Sequence, residues 1–167
     1  MEKTVMRAIE GNEKAFRQLL YQHEDQMYRM AYIYVQHEQD ALDVVQESAL
    51  KAHQKLTTLQ APAHFTTWLT RIVINTAHDF LRKRGRMTYV DYDDLPEPVH
   101  IEEPTQLILA DVLRVLSPQE KDVIILRFYY DYTISQTAEM LSLKLGTTKT
   151  ILYRTLQKLR NEMEASE

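Results

Sequence analysis

The sequence predicts an all-α protein: two small helical domains joined by an acidic flexible linker. Three observations carry this. Apolar residues recur every three or four positions over long stretches, the signature of helices with one buried face. Only three glycines (Gly11, Gly85 and Gly146) occur in 167 residues, so long helices meet few breakers. Between the two periodic regions, residues 89–104 hold Pro96, Pro98 and Pro104 and little apolar periodicity.

A helix opens at Asn12, a residue whose side chain accepts from the free N–H groups of a first turn. Phe16, Leu19, Leu20, His23, Met27, Met30, Ala31 and Tyr34 follow at helical spacing. A second helix covers about 38–56, with Ala41, Val44, Val45, Ser48 and Ala52 as its inner stripe. Residues 57–64 read as a loop, with Pro62 as the breaker. A third helix begins near Thr66 and turns Trp68, Leu69, Ile72, Thr76 and Phe80 inward. It ends in Arg82-Lys83-Arg84-Gly85-Arg86, where Gly85 suits the cap and the cations suit the negative end of the helix dipole.

Past the linker, a helix is predicted over 105–116, with Leu109, Val112, Leu113 and Leu116 inward. Ser117-Pro118-Gln119-Glu120 is a helix start: Ser caps, Pro occupies the first turn, and Glu reaches back. Thr133-Ile134-Ser135-Gln136 repeats that logic. A short helix then runs to Leu141, and after a tight turn a long one covers about 145–163. The expected division is therefore 1–86, a linker at 87–104, and 105–167.

Composition narrows the function. There is no cysteine, which excludes disulfides and thiolate metal sites and fits a reducing cytosol. The start, Met1-Glu2-Lys3-Thr4, leads into a charged helix without an apolar signal core, and no apolar run reaches the ~20 residues of a bilayer span. A cytoplasmic protein with no membrane insertion is expected. Six histidines are scattered without metal-binding spacing, and neither a Gly-rich phosphate loop nor a nucleophile signature occurs. Neither an enzyme nor a metal or other cofactor is expected.

Net charge is −4, an odd sum for a nucleic-acid binder, but the charges are segregated. Residues 142–160 hold Lys144, Lys149, Arg154, Lys158 and Arg160 and no acid. Residues 89–104 hold Asp91, Asp93, Asp94, Glu97, Glu102 and Glu103 and no Lys or Arg. Segregation of this kind suggests separate tasks for separate segments.

The last two helices have helix-turn-helix spacing, with Ala138 small at the crossing, Leu143 plugging the turn, and Leu141 and Leu152 closing the core. The second of them would enter the major groove. Lys144, Thr147, Thr150 and Tyr153 would meet base edges, while Lys149, Arg154 and Lys158 would mostly engage phosphates. The same pattern also fits a helical hairpin packed on another protein.

On the second helix, Asp40, Asp43 and Glu47 share one face with Gln46 beside them, a row suited to a basic partner or simply to water. The third helix carries Trp68, Arg71, Asn75, His78 and Arg82, with His64 and Phe65 at its start. Aromatic and cationic groups together can stack unpaired bases and neutralise their phosphates. Phe65 and Trp68 fit the core equally well, and Asn75 a buried cap.

These segments resemble one known family, the extracytoplasmic-function (ECF) sigma factors. Asp40-Ala41-Leu42-Asp43-Val44-Val45-Gln46-Glu47 resembles the family's D-A-x-D-[LIV]-V-Q-[ED] segment of region 2. Phe65-Thr66-Thr67-Trp68-Leu69-Thr70-Arg71-Ile72-Val73-Ile74-Asn75, then Asp79-Phe80-Leu81-Arg82-Lys83, resembles F-x-x-W-L-x-R-I-x-x-N…D-x-L-R-[KR]. Leu116-Ser117-Pro118-Gln119-Glu120-Lys121, Leu126-Arg127-Phe128, Gly146-Thr147-Thr148-Lys149 and Leu159-Arg160 resemble region 4. Departures occur at Ala49 and His53, where the family often has aromatics, and at Ile151, where a basic residue is common.

The resemblance implies roles. Asp40, Asp43, Gln46 and Glu47 would dock on core RNA polymerase. Residues 57–64, with His64, Phe65, Trp68, Arg71, Asn75, His78 and Arg82, would melt and read the −10 promoter element. Lys144, Thr147, Lys149, Thr150, Tyr153, Arg154 and Lys158 would bind the −35 element as duplex. Promoter DNA and core RNA polymerase are the implied partners, and an anti-sigma factor, often membrane-anchored in the family, would hold the protein inactive. The alternative is a stand-alone helix-turn-helix regulator, which would bind DNA as a dimer without polymerase.

Overall fold

The computed structural model describes residues 1–85 and 115–165, and the chain divides into two compact units, Met1–Val90 and Asp91–Glu167. Among the described residues every regular element is helical. The predicted linker and most of the predicted 105–116 helix lie outside them.

Unit 1 has four helices: α1 (Glu2–Ile9), α2 (Glu13–Val35), α3 (Glu38–Lys55) and α4 (Phe65–Lys83). Helices α2, α3 and α4 pack on one another, and α1 lies against α2 and the turns before α4. The apolar period opens the first helix at Asn12, but α1 lies ahead of it, anchored by buried Val5 and Ala8. An eight-residue helix buries too few positions to give a clear period. Gly11 separates α1 from α2 at φ 93°, and its N–H and that of Asn12 close α1 on the carbonyls of Ala8 and Arg7. Asn12 then caps α2, its side chain accepting from the Ala15 N–H at 3.0 Å.

The core of unit 1 includes Leu19, Met27, Met30, Ala31, Ala41, Val44, Ala52, Phe65, Leu69 and Val73. His23 is also buried: Nδ1 lies 2.7 Å from the Leu19 carbonyl and Nε2 3.1 Å from the Thr66 hydroxyl. Both ring nitrogens are thereby satisfied, which a buried imidazole requires. Residues 57–64, expected as plain loop, hold 3₁₀ turns at Leu56–Thr58 and Pro62–His64, with Leu59 buried between them. Trp68 and Phe80, expected inward, are half-buried. Gly85 ends α4 at φ 65°, as its position in the sequence predicts.

Unit 2 contains α5 (Pro118–Ile124), which runs into a π turn at Ile125–Tyr129, then α6 (Ile134–Met140) and α7 (Leu145–Ala165). Both predicted capping boxes are present. The Ser117 hydroxyl accepts from the Glu120 N–H at 3.4 Å, and the Glu120 carboxylate accepts from the Ser117 N–H at 2.9 Å. The Thr133–Gln136 pair matches it at 3.2 and 2.8 Å. Ala138, Ile151 and Leu152 are buried where α6 and α7 pack, and Leu141 and Leu143 are half-buried in the turn. Thr148, also fully buried, donates its hydroxyl to the Lys144 carbonyl at 3.1 Å.

Ser142 ends α6 in the left-handed region at φ 55°. Its N–H bonds the Glu139 carbonyl, and the Leu143 N–H reaches Ala138. This is a Schellman close, and glycine is its usual residue at that place. An L side chain there costs about 1 kcal/mol. Ser142→Gly is therefore expected to raise the stability of unit 2 by about 1 kcal/mol, read as a shift in the urea midpoint at unchanged slope. A lower midpoint would mean that the serine side chain contributes more than its backbone strain costs.

Candidate nucleic-acid interface

His64, at the N-cap of α4, and Trp68, Arg71, Asn75, His78 and Arg82 on it follow one another in alternating steps of four and three, so they form one stripe along the helix. The opposite face, Leu69, Ile72, Val73 and Thr76, is buried. His64, Arg71, Asn75 and Arg82 are exposed, while Trp68 and His78 are half-buried. Asn75 is thus not the buried cap that the sequence left open. The Tyr34 ring meets His78 edge-on at 5.2 Å, and Arg82 Nη1 lies 3.4 Å from Asp79. The turns at 56–64 adjoin the start of this stripe.

Phe65 does not belong to the surface. Its side chain is fully buried, edge-on to His23 at 5.4 Å. Trp68 lies tilted on it at 5.7 Å. Phe65 thus supports Trp68 from beneath and cannot itself meet a base.

The acidic row of α3 is also shorter than its spacing suggested. Asp43 and Gln46 are exposed and Glu47 is half-buried, but Asp40 is 3% exposed. Its two carboxylate oxygens accept from Arg84 Nη1 at 2.7 and 2.9 Å. The Arg84 guanidinium lies 4.5 Å above the Phe80 ring. Asp40 is therefore a clamp between the start of α3 and the end of α4. Helical spacing misses this because the partner sits 44 residues away in the chain.

Lys51 is a second residue that sequence reasoning passed over. It lies 3.0 Å from Glu47 and 3.4 Å from Asp79, joining α3 to α4 beside the stripe. Burial pulls its pKa down, but Glu47 and then Asp79 outweigh that and raise it.

In unit 2, Lys144, just before α7, and Thr147, Lys149, Thr150, Tyr153 and Arg154 on its first turns are exposed. The Thr150 hydroxyl donates to the Gly146 carbonyl at 3.0 Å, which leaves it an acceptor toward a base. Ile151, at the position where the family resemblance implies a basic residue, is buried. Lys158 departs from expectation. Its ammonium donates to the Val115 carbonyl and lies 3.4 Å from Glu120, so it braces α7 against the start of α5 and is not a free phosphate ligand. Glu120 also lies 3.6 Å from Arg154 Nη2.

Burial opposes ionisation of Glu120, but the Ser117 hydrogen bonds and the Lys158 charge prevail and its pKa is lowered. A lowered carboxyl pKa contributes stability that is complete above the unfolded value, about 4.3, and is lost as pH falls through the folded one. Acid titration of the Glu120→Gln variant should lack that part of the stability loss, measured as urea midpoints from pH 6 to 3.

Comparison with known proteins identifies the family. Residues 19–87 match the family described as Sigma-70 region 2, and residues 112–161 match Sigma-70, region 4. The chain is 34% identical over 146 residues to "RNA polymerase sigma factor SigV" of Bacillus subtilis, covering 84% of this chain and 86% of that protein. The chain belongs to the ECF RNA polymerase sigma factors. It is also 29% identical to the "RNA polymerase sigma-E factor" of Streptomyces coelicolor, over 94% of this chain and 90% of that one. This ECF sigma factor shares its fold with CnrH, solved in complex with the cytosolic domain of CnrY: TM-score 0.74, 24% identity, covering 99% of this chain and 98% of that one. It shares it also with RpoE of Bartonella quintana, solved with the anti-sigma factor NepR: TM-score 0.72, 22% identity, covering 92% and 99%. As a sigma factor the chain is a transcription initiation factor whose partners are core RNA polymerase and promoter DNA. Among the described residues no helix is long and apolar enough to cross a membrane.

Proposed function

We propose that this sigma factor divides its work between the two units, within the boundaries 1–86 and 105–167, and acts in the cytoplasm without catalysing a reaction of its own. Unit 1 docks on core polymerase through Asp43, Gln46 and Glu47. It opens and reads the −10 element with the stripe His64, Trp68, Arg71, Asn75, His78 and Arg82. Unit 2 reads the −35 element through Lys144, Thr147, Lys149, Thr150, Tyr153 and Arg154. The observation that carries this is the α4 stripe, a half-buried aromatic ring beside the exposed Arg71, Asn75 and Arg82 and the 56–64 turns. Such a surface offers a ring to stack on besides charge for phosphates, and only unpaired DNA has free base faces to use the ring. A regulatory partner, an anti-sigma factor held at the membrane or free, belongs to the same reading. CnrH and the Bartonella RpoE, each solved with a binding partner, support it.

Reconstitution with core polymerase and genomic promoter fragments tests the whole. Transcripts sharing one motif pair, and absent without the protein, are the expected result. Failure to bind core would leave the helix-turn-helix regulator in its place. The −10 assignment has its own test. Trp68→Ala and Arg71→Ala should each cut open-complex formation by about tenfold while closed complexes form nearly as before, measured by permanganate footprinting and gel shift. Equal loss in both assays would make the residues structural.

A further inference from the structure

Glu120 belongs to the strongest helix-start signal in the sequence, and that capping role explains only part of its surroundings. Its side chain is about nine-tenths buried, at 7% relative exposure. Oε2 accepts from the Ser117 N–H at 2.9 Å and lies 3.4 Å from the Lys158 ammonium. Oε1 faces Arg154 Nη2 at 3.6 Å. A capping box uses one carboxylate oxygen, so the second is directed at α7 without serving the cap. Lys158 is drawn in to the Val115 carbonyl, but Arg154 keeps 66% of its side chain exposed. A guanidinium has five N–H donors in a planar fork, and Glu120 faces only one edge of it. The rest of the side chain is exposed, and Thr147 and Thr150, seven and four residues earlier, are exposed on the same face of α7.

We infer that Glu120 is a positioning residue for promoter binding: from the start of α5 it orients the Arg154 guanidinium on α7 for a DNA phosphate. This rests on the reading of α7 as the duplex-binding helix. A flexible arginine pays for each phosphate contact in side-chain entropy, and a carboxylate fixed by its own cap reduces that loss. The buried carboxylate does not meet DNA. Lys158 has the separate task of holding α7 to α5.

The test uses the full chain with core polymerase on duplex promoter DNA, reading closed-complex affinity against salt. Each phosphate contact contributes about 0.9 to the slope of log affinity on log salt. Arg154→Ala, at an exposed position, is measured first and should reduce the slope by about that amount. Glu120→Gln keeps an oxygen for the Ser117 N–H and removes the charge. It should weaken binding about threefold to tenfold and reduce the slope similarly. In the double variant the two losses should not add, because one acts through the other. Lys158→Met should leave the slope unchanged.

Unchanged slope in Arg154→Ala overturns the inference, whatever Glu120→Gln does to folding. Additive losses overturn it too, since Glu120 would then act through the fold alone. Tighter binding by Glu120→Gln would show that the carboxylate withholds its cations from DNA, the opposite role. If the unaltered protein forms no promoter-specific closed complex, the duplex-binding reading itself fails and this inference with it. A normal wild-type slope with any of the adverse variant results refutes the inference alone.

Discussion

Phe65→Ala is expected to lower the stability of unit 1 by about 3–5 kcal/mol, because it empties a fully buried aromatic site in a bundle that can collapse only in part. For a unit of this size the loss corresponds to a fall of more than about 10 °C in melting temperature. Promoter opening should fail in proportion to the folded fraction and recover at low temperature. Phe65→Leu should restore most of both, since leucine refills the space without offering an aromatic face. The opposite pattern, full stability with promoter opening abolished in both variants, would put Phe65 back on the DNA surface. The measurements are a thermal melt and permanganate reactivity of the same samples.

The second large effect separates three carboxylates that look alike in the sequence. Asp40→Lys should cost more than about 4 kcal/mol, because it buries an ammonium opposite Arg84 in place of the anion that pairs with it. Asp43→Lys with Glu47→Lys should leave the unfolding free energy of unit 1, from urea titration, within about 0.5 kcal/mol of the parent, since both side chains reach water. Glu47 also pairs with Lys51, but Asp79 remains to balance that lysine after the change. Core polymerase affinity of the double variant should fall at least about tenfold and more steeply at low salt, as loss of complementary charge requires. Unchanged affinity would remove the docking assignment from α3. Unfolding of the Asp43/Glu47 variant would show that the exposed row, like Asp40, serves the fold.

What a reader of the sequence could recover follows from the range of the interactions. The Asn12 cap, both capping boxes and the Gly85 close depend on groups within five residues of each other, and all four stand where the sequence places them. The buried stripes of α2, α3 and α4 depend only on helical period, so Leu19, Met27, Ala41, Val44, Leu69 and Ile72 were legible as core. Arg71 and Arg82 were legible as surface for the same reason, whereas Trp68, which the period turns inward, is half-buried and Asn75, open as a buried cap, is exposed.

The short helix α1 was harder to see because eight residues bury only two. The π turn after α5 left no mark in the pattern of apolar residues. The paired charges were out of reach altogether. Nothing local distinguishes Asp40 from Asp43 and Glu47, or Lys158 from Lys149. Each difference is made by one partner 38 to 44 residues away, Arg84 for Asp40 and Glu120 for Lys158. Helical period and capping thus determined the elements, their order and the faces they bury. Which charged residues remain for polymerase and DNA, and which hold the helices together, was decided only by packing, because an ion pair depends on where two helix ends meet in space.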